Sequence, residues 1–190
     1  MMTETEREVP RVWVGCLGCY NAGALVGAWV DGTEAAELEP HDCGPVSTWP
    51  KCGDRKAEER WCFDHEGFGG LLEGECSPAE AQRIAEAIAA MAEDGTEPTA
   101  VAAWLANTGE RLECWDAPTR ERFEEAYAGE WRSGEDFAED LAEQVCAVPD
   151  DAAWPVSCID WARAWRDLEL GGDYWSTEAP GGMVYVFRSV

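Results

Sequence analysis

Two different hydrophobic periods run along this chain. Arg11-Val12-Trp13-Val14-Gly15 and Ala24-Leu25-Val26-Gly27-Ala28-Trp29-Val30 are rich in β-branched and aromatic residues and flank Tyr20-Asn21-Ala22-Gly23, whose Asn and Gly tolerate positive φ. The pattern predicts a β-hairpin with a loop of several residues. Over 34–64 periodicity fades into Pro, Cys, Asp and Lys, which predicts a loop-rich excursion with room for one short helix. Helical spacing then takes over. Ser77-Pro78-Ala79-Glu80 has the Ser-x-x-Glu capping-box spacing with Pro at the first helical position, and Ile84, Ile88 and Met91 follow, so a helix is expected over 78–93 with Gly95 as its stop. Thr99 is placed to cap a second helix running through Trp104 and Leu105 to Asn107-Thr108-Gly109.

Further on, a helix over 119–128 would turn Phe123 and Tyr127 inward, and one over 134–145 would align Phe137, Leu141 and Val145, with Ser133 and Asp136 as its capping pair. Trp161, Trp165 and Leu168 define an amphipathic helix over 159–168 that closes at Gly171-Gly172, and 183–188 reads as a final strand. Strands near both termini with helices between them make the class α+β. The expected organisation is a hairpin-containing part with a Cys-rich loop at 1–70, a helical part at 71–109 and an acidic α+β part at 110–190. There is no internal repeat.

Composition sharpens this picture. The 190 residues carry 39 Asp+Glu against 14 Lys+Arg, a net charge of −25. A surface of that sign repels phosphate, so direct nucleic-acid binding is excluded. At 46% hydrophobic, with 11 Trp, the chain is no disordered acidic tail. Residues 12–30 lack charge, but four glycines and Tyr20-Asn21 interrupt them and acidic residues precede them, which argues against a membrane span or signal peptide. The cytoplasm is therefore the expected compartment, with the nine cysteines as reduced thiols.

The charge is also patterned. Residues 110–178 hold 19 acidic and 6 basic residues, a net of −13. In the helix expected from Gly134, Glu135, Asp136, Glu139, Asp140 and Glu143 fall opposite the apolar stripe, and Glu121, Glu124, Glu125 and Glu130 add to them from the preceding helix. Carboxylates four apart on a helix lie roughly 6 Å apart along the axis, close to phosphate spacing along one strand. Such like-charge pairs destabilise a helix slightly. A solubilising face is the plain reading, and the scale of the charge favours another. Duplex DNA carries one charge per about 1.7 Å, so the net charge of −25 corresponds to roughly 40 Å of duplex. A rigid protein so charged could fill the cationic groove of a DNA enzyme as a stoichiometric decoy.

Several blocks together resemble the ArdA family of antirestriction proteins. They are Arg11-Val12-Trp13-Val14-Gly15, Tyr20-Asn21-Ala22-Gly23 and Gly27-Ala28-Trp29-Val30-Asp31; Glu66-Gly67-Phe68; Phe123-Glu124-Glu125-Ala126-Tyr127-Ala128-Gly129-Glu130-Trp131; Ser133-Gly134-Glu135-Asp136-Phe137; Gly172-Asp173-Tyr174-Trp175; and Val184-Tyr185-Val186-Phe187-Arg188. The resemblance implies an elongated α+β protein with three small subdomains in a row, a homodimer that mimics bent B-form DNA and blocks type I restriction–modification enzymes. Such proteins travel on mobile genetic elements. The family's antirestriction motif would correspond most nearly to 129–143, and the chain departs from the pattern in its Cys-rich 38–64.

Other chemistry is weaker. Cys16 and Cys19 have C-x-x-C spacing, and Cys43, Cys52, Cys62 and His65 could ligate zinc, but structural zinc sites use paired short spacings that these lack. A zinc-stabilised, non-enzymatic regulatory binding module organised by these residues is the main rival reading. His41 and His65 stand outside any triad, carboxylate pairs are too common here to signal a hydrolase, and no P-loop, dinucleotide fingerprint or EF-hand run occurs. No catalysis and no cofactor are expected.

Overall fold

A computed structural model describes residues 9–37, 59–146 and 158–190, which form two compact units, 1–115 and 116–190. The class is α+β. The first unit is built on an antiparallel sheet in which β1 (Arg11–Cys16) lies between β2 (Gly27–Asp31) and β3 (Arg60–Glu66). The expected hairpin pairs Trp13 with Trp29 and Gly15 with Gly27, and its connection contains a five-residue helix, α1 (Leu17–Asn21). The uncharged run 12–30 is thus spent on two strands and their link. Period two sorts its side chains: Val12 and Val14 are fully buried, whereas the Trp13 indole lies over two glycines on the other face. A Cβ on Gly15 or on Gly27 would stand 2.5 Å from that ring.

Strand β3 corrects the expectation of a loop through 64. Its residues Asp64, His65 and Glu66 carry no strand signature of their own; they pair with Trp13, Val12 and Arg11, some fifty residues away. The rest of the excursion, with His41, Cys43 and Cys52, lies outside the described residues. Two helices follow, α2 (Pro78–Asp94) and α3 (Pro98–Thr108). Ser77 Oγ accepts the Glu80 N–H at 3.2 Å, and Gly95 ends α2 in the left-handed conformation at φ 75°. Ala81, Ile84, Ala85, Ile88 and Met91 form its buried stripe. The cap of α3 is Glu97 rather than Thr99, because Pro98 starts the helix two residues earlier; Thr99 Oγ1 donates to the Glu97 carboxylate at 3.3 Å.

The second unit has α4 (Ala117–Ala126), β4 (Tyr127–Trp131), α5 (Gly134–Cys146), α6 (Trp161–Gly171), β5 (Tyr174–Ala179) and β6 (Met183–Arg188). Its sheet has the order β4-β6-β5, all antiparallel. Alternation along β6 supplies two cores. Val186 packs with Phe137, Ala138 and Trp165 of α5 and α6, while Tyr185 and Phe187, both buried, join Phe123, Tyr127 and Trp175 in an aromatic cluster on the other side. Trp175 stacks on Phe187 at 4.3 Å.

Two expectations are corrected here. The helix over 119–128 ends at Ala126, since Tyr127 is recruited to pair with Phe187; its ring still stacks on Phe123 at 5.0 Å. Val145 is 70% exposed, a turn beyond Leu141, the last residue of α5 in the cluster. Strand β4 lies between α4 and α5 in the chain and pairs with β6.

Candidate acidic interaction surface

Local rules place the acidic residues of the second unit. Asp116 accepts the Thr119 N–H at 3.0 Å and starts α4, whose Phe123 and Ala126 are buried. With that stripe inward, Glu121, Glu124 and Glu125 are exposed. Glu124 lies 3.8 Å from Arg120 one turn back, an exposed pair of small energetic weight.

Glu130 sits on β4 rather than on a helix, opposite Tyr185, and is exposed. The register shifts between Tyr127 and Gly129, and Gly129 has φ 116°, a conformation that side-chain-bearing residues avoid. The Trp131 indole N–H donates to the Ala128 carbonyl at 3.1 Å and passes so close that a Cβ on Gly129 would be 3.0 Å from it. The bulge lies at the start of the strand Tyr127–Trp131, which takes over where the helix stops at Ala126.

Helix α5 carries the densest group. Ser133 Oγ accepts the Asp136 N–H at 3.2 Å, the expected cap. Glu135 and Asp136 occupy the first turn, where the helix dipole favours negative charge. Phe137 anchors the inner face against Trp131, Trp165 and Tyr174, at ring separations of 5.5, 5.9 and 4.9 Å. Glu139 and Glu143 are exposed, and Glu135, Asp136 and Asp140 are half-buried. The Asp140 carboxylate accepts from the Gln144 amide. Gly134 is buried flat against Trp165, whose ring would be 2.3 Å from any Cβ there. That contact brings the start of α5 onto α6.

All nine acidic residues singled out from the sequence lie in the second unit, on α4, β4 and α5. Further exposed carboxylates there, which the sequence marks only through the net charge of 110–178, are Asp160, which caps α6, and Asp167, Glu169, Asp173 and Glu178. The second unit holds 17 acidic and 6 basic residues, net −11, and the first 22 and 8, net −14, so neither unit monopolises the charge. Even with every Lys and Arg engaged by one carboxylate, 25 carboxylates would lack a cationic partner.

Of the residues weighed for zinc, Cys62 is buried beside Cys76, and His65 packs edge-on against Phe68 at 5.6 Å. Among the described residues no three His, Cys, Asp or Glu converge as metal ligands, and no helix is long and apolar enough to cross a membrane.

The described residues form an α+β fold that surrounds aromatic cores with exposed carboxylates. The sequence matches the antirestriction protein (ArdA) family over residues 12–183, and the chain belongs to that family. Family membership assigns it an antirestriction function. No curated protein matches it.

Proposed function

We propose that this protein is an acidic DNA mimic that, as a homodimer, occupies the DNA-binding cleft of a type I restriction–modification enzyme and blocks restriction stoichiometrically. The observation that carries this reading is the placement of Glu121, Glu124, Glu125, Glu130, Glu139 and Glu143 as exposed and Glu135, Asp136 and Asp140 as half-buried carboxylates around an aromatic core. Repulsion among neighbours on α5 works against the helix, so their usefulness lies in contact with cations elsewhere. Lys and Arg that line a DNA cleft supply those cations, and desolvation between the two surfaces strengthens each pair. Because restriction acts on DNA inside the cell, this reading places the protein in the cytoplasm.

The test is a titration of purified protein into a type I enzyme bound to labelled DNA, at two salt concentrations. Displacement near one dimer per DNA site that weakens as salt rises supports the mimic, since exposed ion pairs are screened within about 8 Å at physiological ionic strength. Salt-independent displacement would count against it.

A further inference from the structure

We infer that Cys62 and Cys76 form a peroxide-reactive dithiol site that closes to an intramolecular disulfide. The pair is assembled by backbone geometry. Cys62 and Cys76 face each other across an antiparallel bridge and exchange both backbone bonds, Cys62 N–H to the Cys76 carbonyl at 2.9 Å and the reverse at 3.1 Å. Partners that exchange both bonds have Cα atoms about 5.5 Å apart, inside the range a disulfide spans. Their thiols are also within hydrogen-bonding reach of each other. The backbone pairing thus holds the two thiols within the reach of a disulfide.

The surroundings divide the labour between the two sulfurs. Both are buried, Cys62 at 1% and Cys76 at 3% exposed, and the Cys62 thiol is held well above its ordinary pKa, first by the bond to Cys76 and then by burial. Cys76 forms part of the wall of a cavity of about 440 Å³, together with Trp61, Leu72, Glu80, Ile84 and Leu112. The bond from Cys62 lowers its pKa, against the opposing effects of burial and Glu80. Cys76, the sulfur that borders the cavity, is the attacking one and Cys62 the resolving one. The oxidant is a small hydroperoxide, and hydrogen peroxide is compact enough for the cavity.

The Cys76 thiolate attacks one peroxide oxygen; an S–O bond forms, the O–O bond breaks, and hydroxide leaves and is protonated to water. Cys76 is now a sulfenic acid. The Cys62 sulfur then attacks Cys76; the S–S bond forms, the S–O bond breaks, and the departing hydroxide leaves as water with the Cys62 proton. Two thiols and one peroxide become one disulfide and two waters, with two electrons passed from sulfur to oxygen. The new bond closes a 15-residue loop, tying the segment after β3 to the strand itself and restricting the unfolded chain.

The decisive experiment exposes the reduced full chain to increasing hydrogen peroxide, blocks remaining thiols with N-ethylmaleimide under denaturing conditions, and maps the peptides by mass spectrometry. Exposed Cys114 and Cys158 serve as reporters of dose. The expected result is a Cys62–Cys76 disulfide at or below the dose that oxidises the reporters. It should be accompanied by a rise in melting midpoint of roughly 10 °C that dithiothreitol reverses. In Cys62→Ser, Cys76 should advance to sulfinic acid, because nothing resolves the sulfenic acid. Both thiols still alkylatable after the reporters are oxidised, or Cys76 paired with another cysteine, would overturn the inference. The wild-type map decides the matter even if the variant does not fold.

Discussion

Converting the five carboxylates of α5 to amides, Glu135→Gln, Asp136→Asn, Glu139→Gln, Asp140→Asn and Glu143→Gln together, should weaken inhibition while leaving the fold intact. Two effects on stability oppose each other. Removing the like-charge pairs 135/139, 136/140 and 139/143 relieves about 0.3 kcal/mol each, near 1 kcal/mol in all. Removing Glu135 and Asp136 from the first turn costs about 0.5 kcal/mol each, again near 1 kcal/mol. The Ser133 cap and the Phe137 contacts are untouched, and an amide at 140 still accepts from Gln144. The melting midpoint should therefore stay within about 5 °C of wild type. Binding has no such compensation. At about 0.5 kcal/mol per ion pair lost, five pairs amount to roughly 2.5 kcal/mol, or about 60-fold in affinity. DNA-displacement titration measures the second quantity and thermal unfolding by circular dichroism the first. A normally melting variant with wild-type affinity would refute the assignment of α5 to the contact surface, and a midpoint more than 10 °C lower would refute the stability argument.

Other outcomes follow from particular contacts. Gly134→Ala drives a methyl into the Trp165 indole and should destabilise the second unit by about 1–3 kcal/mol, seen as a lower denaturant midpoint. Val145→Ser, at an exposed position, should change stability by less than about 0.5 kcal/mol, whereas Phe137→Ala should cost about 3–5 kcal/mol by the same measurement. Ser133→Ala removes the α5 cap and should cost about 1 kcal/mol, with Ser133→Thr largely retaining stability. Gly15→Ala and Gly27→Ala each intrude on the Trp13 ring, and should shift its near-ultraviolet circular dichroism as well as lower the midpoint of the first unit.

The candidate surface was only partly legible in the sequence. The α5 carboxylates could be placed because a capped helix fixes which side faces inward, and Phe137 does face inward. Glu130 was assigned to a helix because Phe123 and Tyr127 keep helical spacing and do remain stacked, although the backbone has already turned extended between them. A ring contact at i, i+4 therefore does not prove that a helix continues. The only local sign of the change was Gly129, and a glycine there has several other meanings.

By itself the sequence determined the family, the α+β class, the strand pair at the N-terminus, and the helices whose capping residues and left-handed stops are close in the chain: Ser77 and Gly95, Ser133, and Gly172. A helix closes its hydrogen bonds four residues away, so its code is local and survives in a single sequence. Only the tertiary structure decided that Arg60–Glu66 is a strand, that Tyr127–Trp131 leaves the helix to pair with β6, that Gly134 must have no side chain, and that Cys62 meets Cys76. A strand takes its partner from a distant part of the chain, and here the sheet neighbours of β3 and β4 lie roughly fifty residues away. No window of sequence around either strand contains the residues that complete its hydrogen bonds.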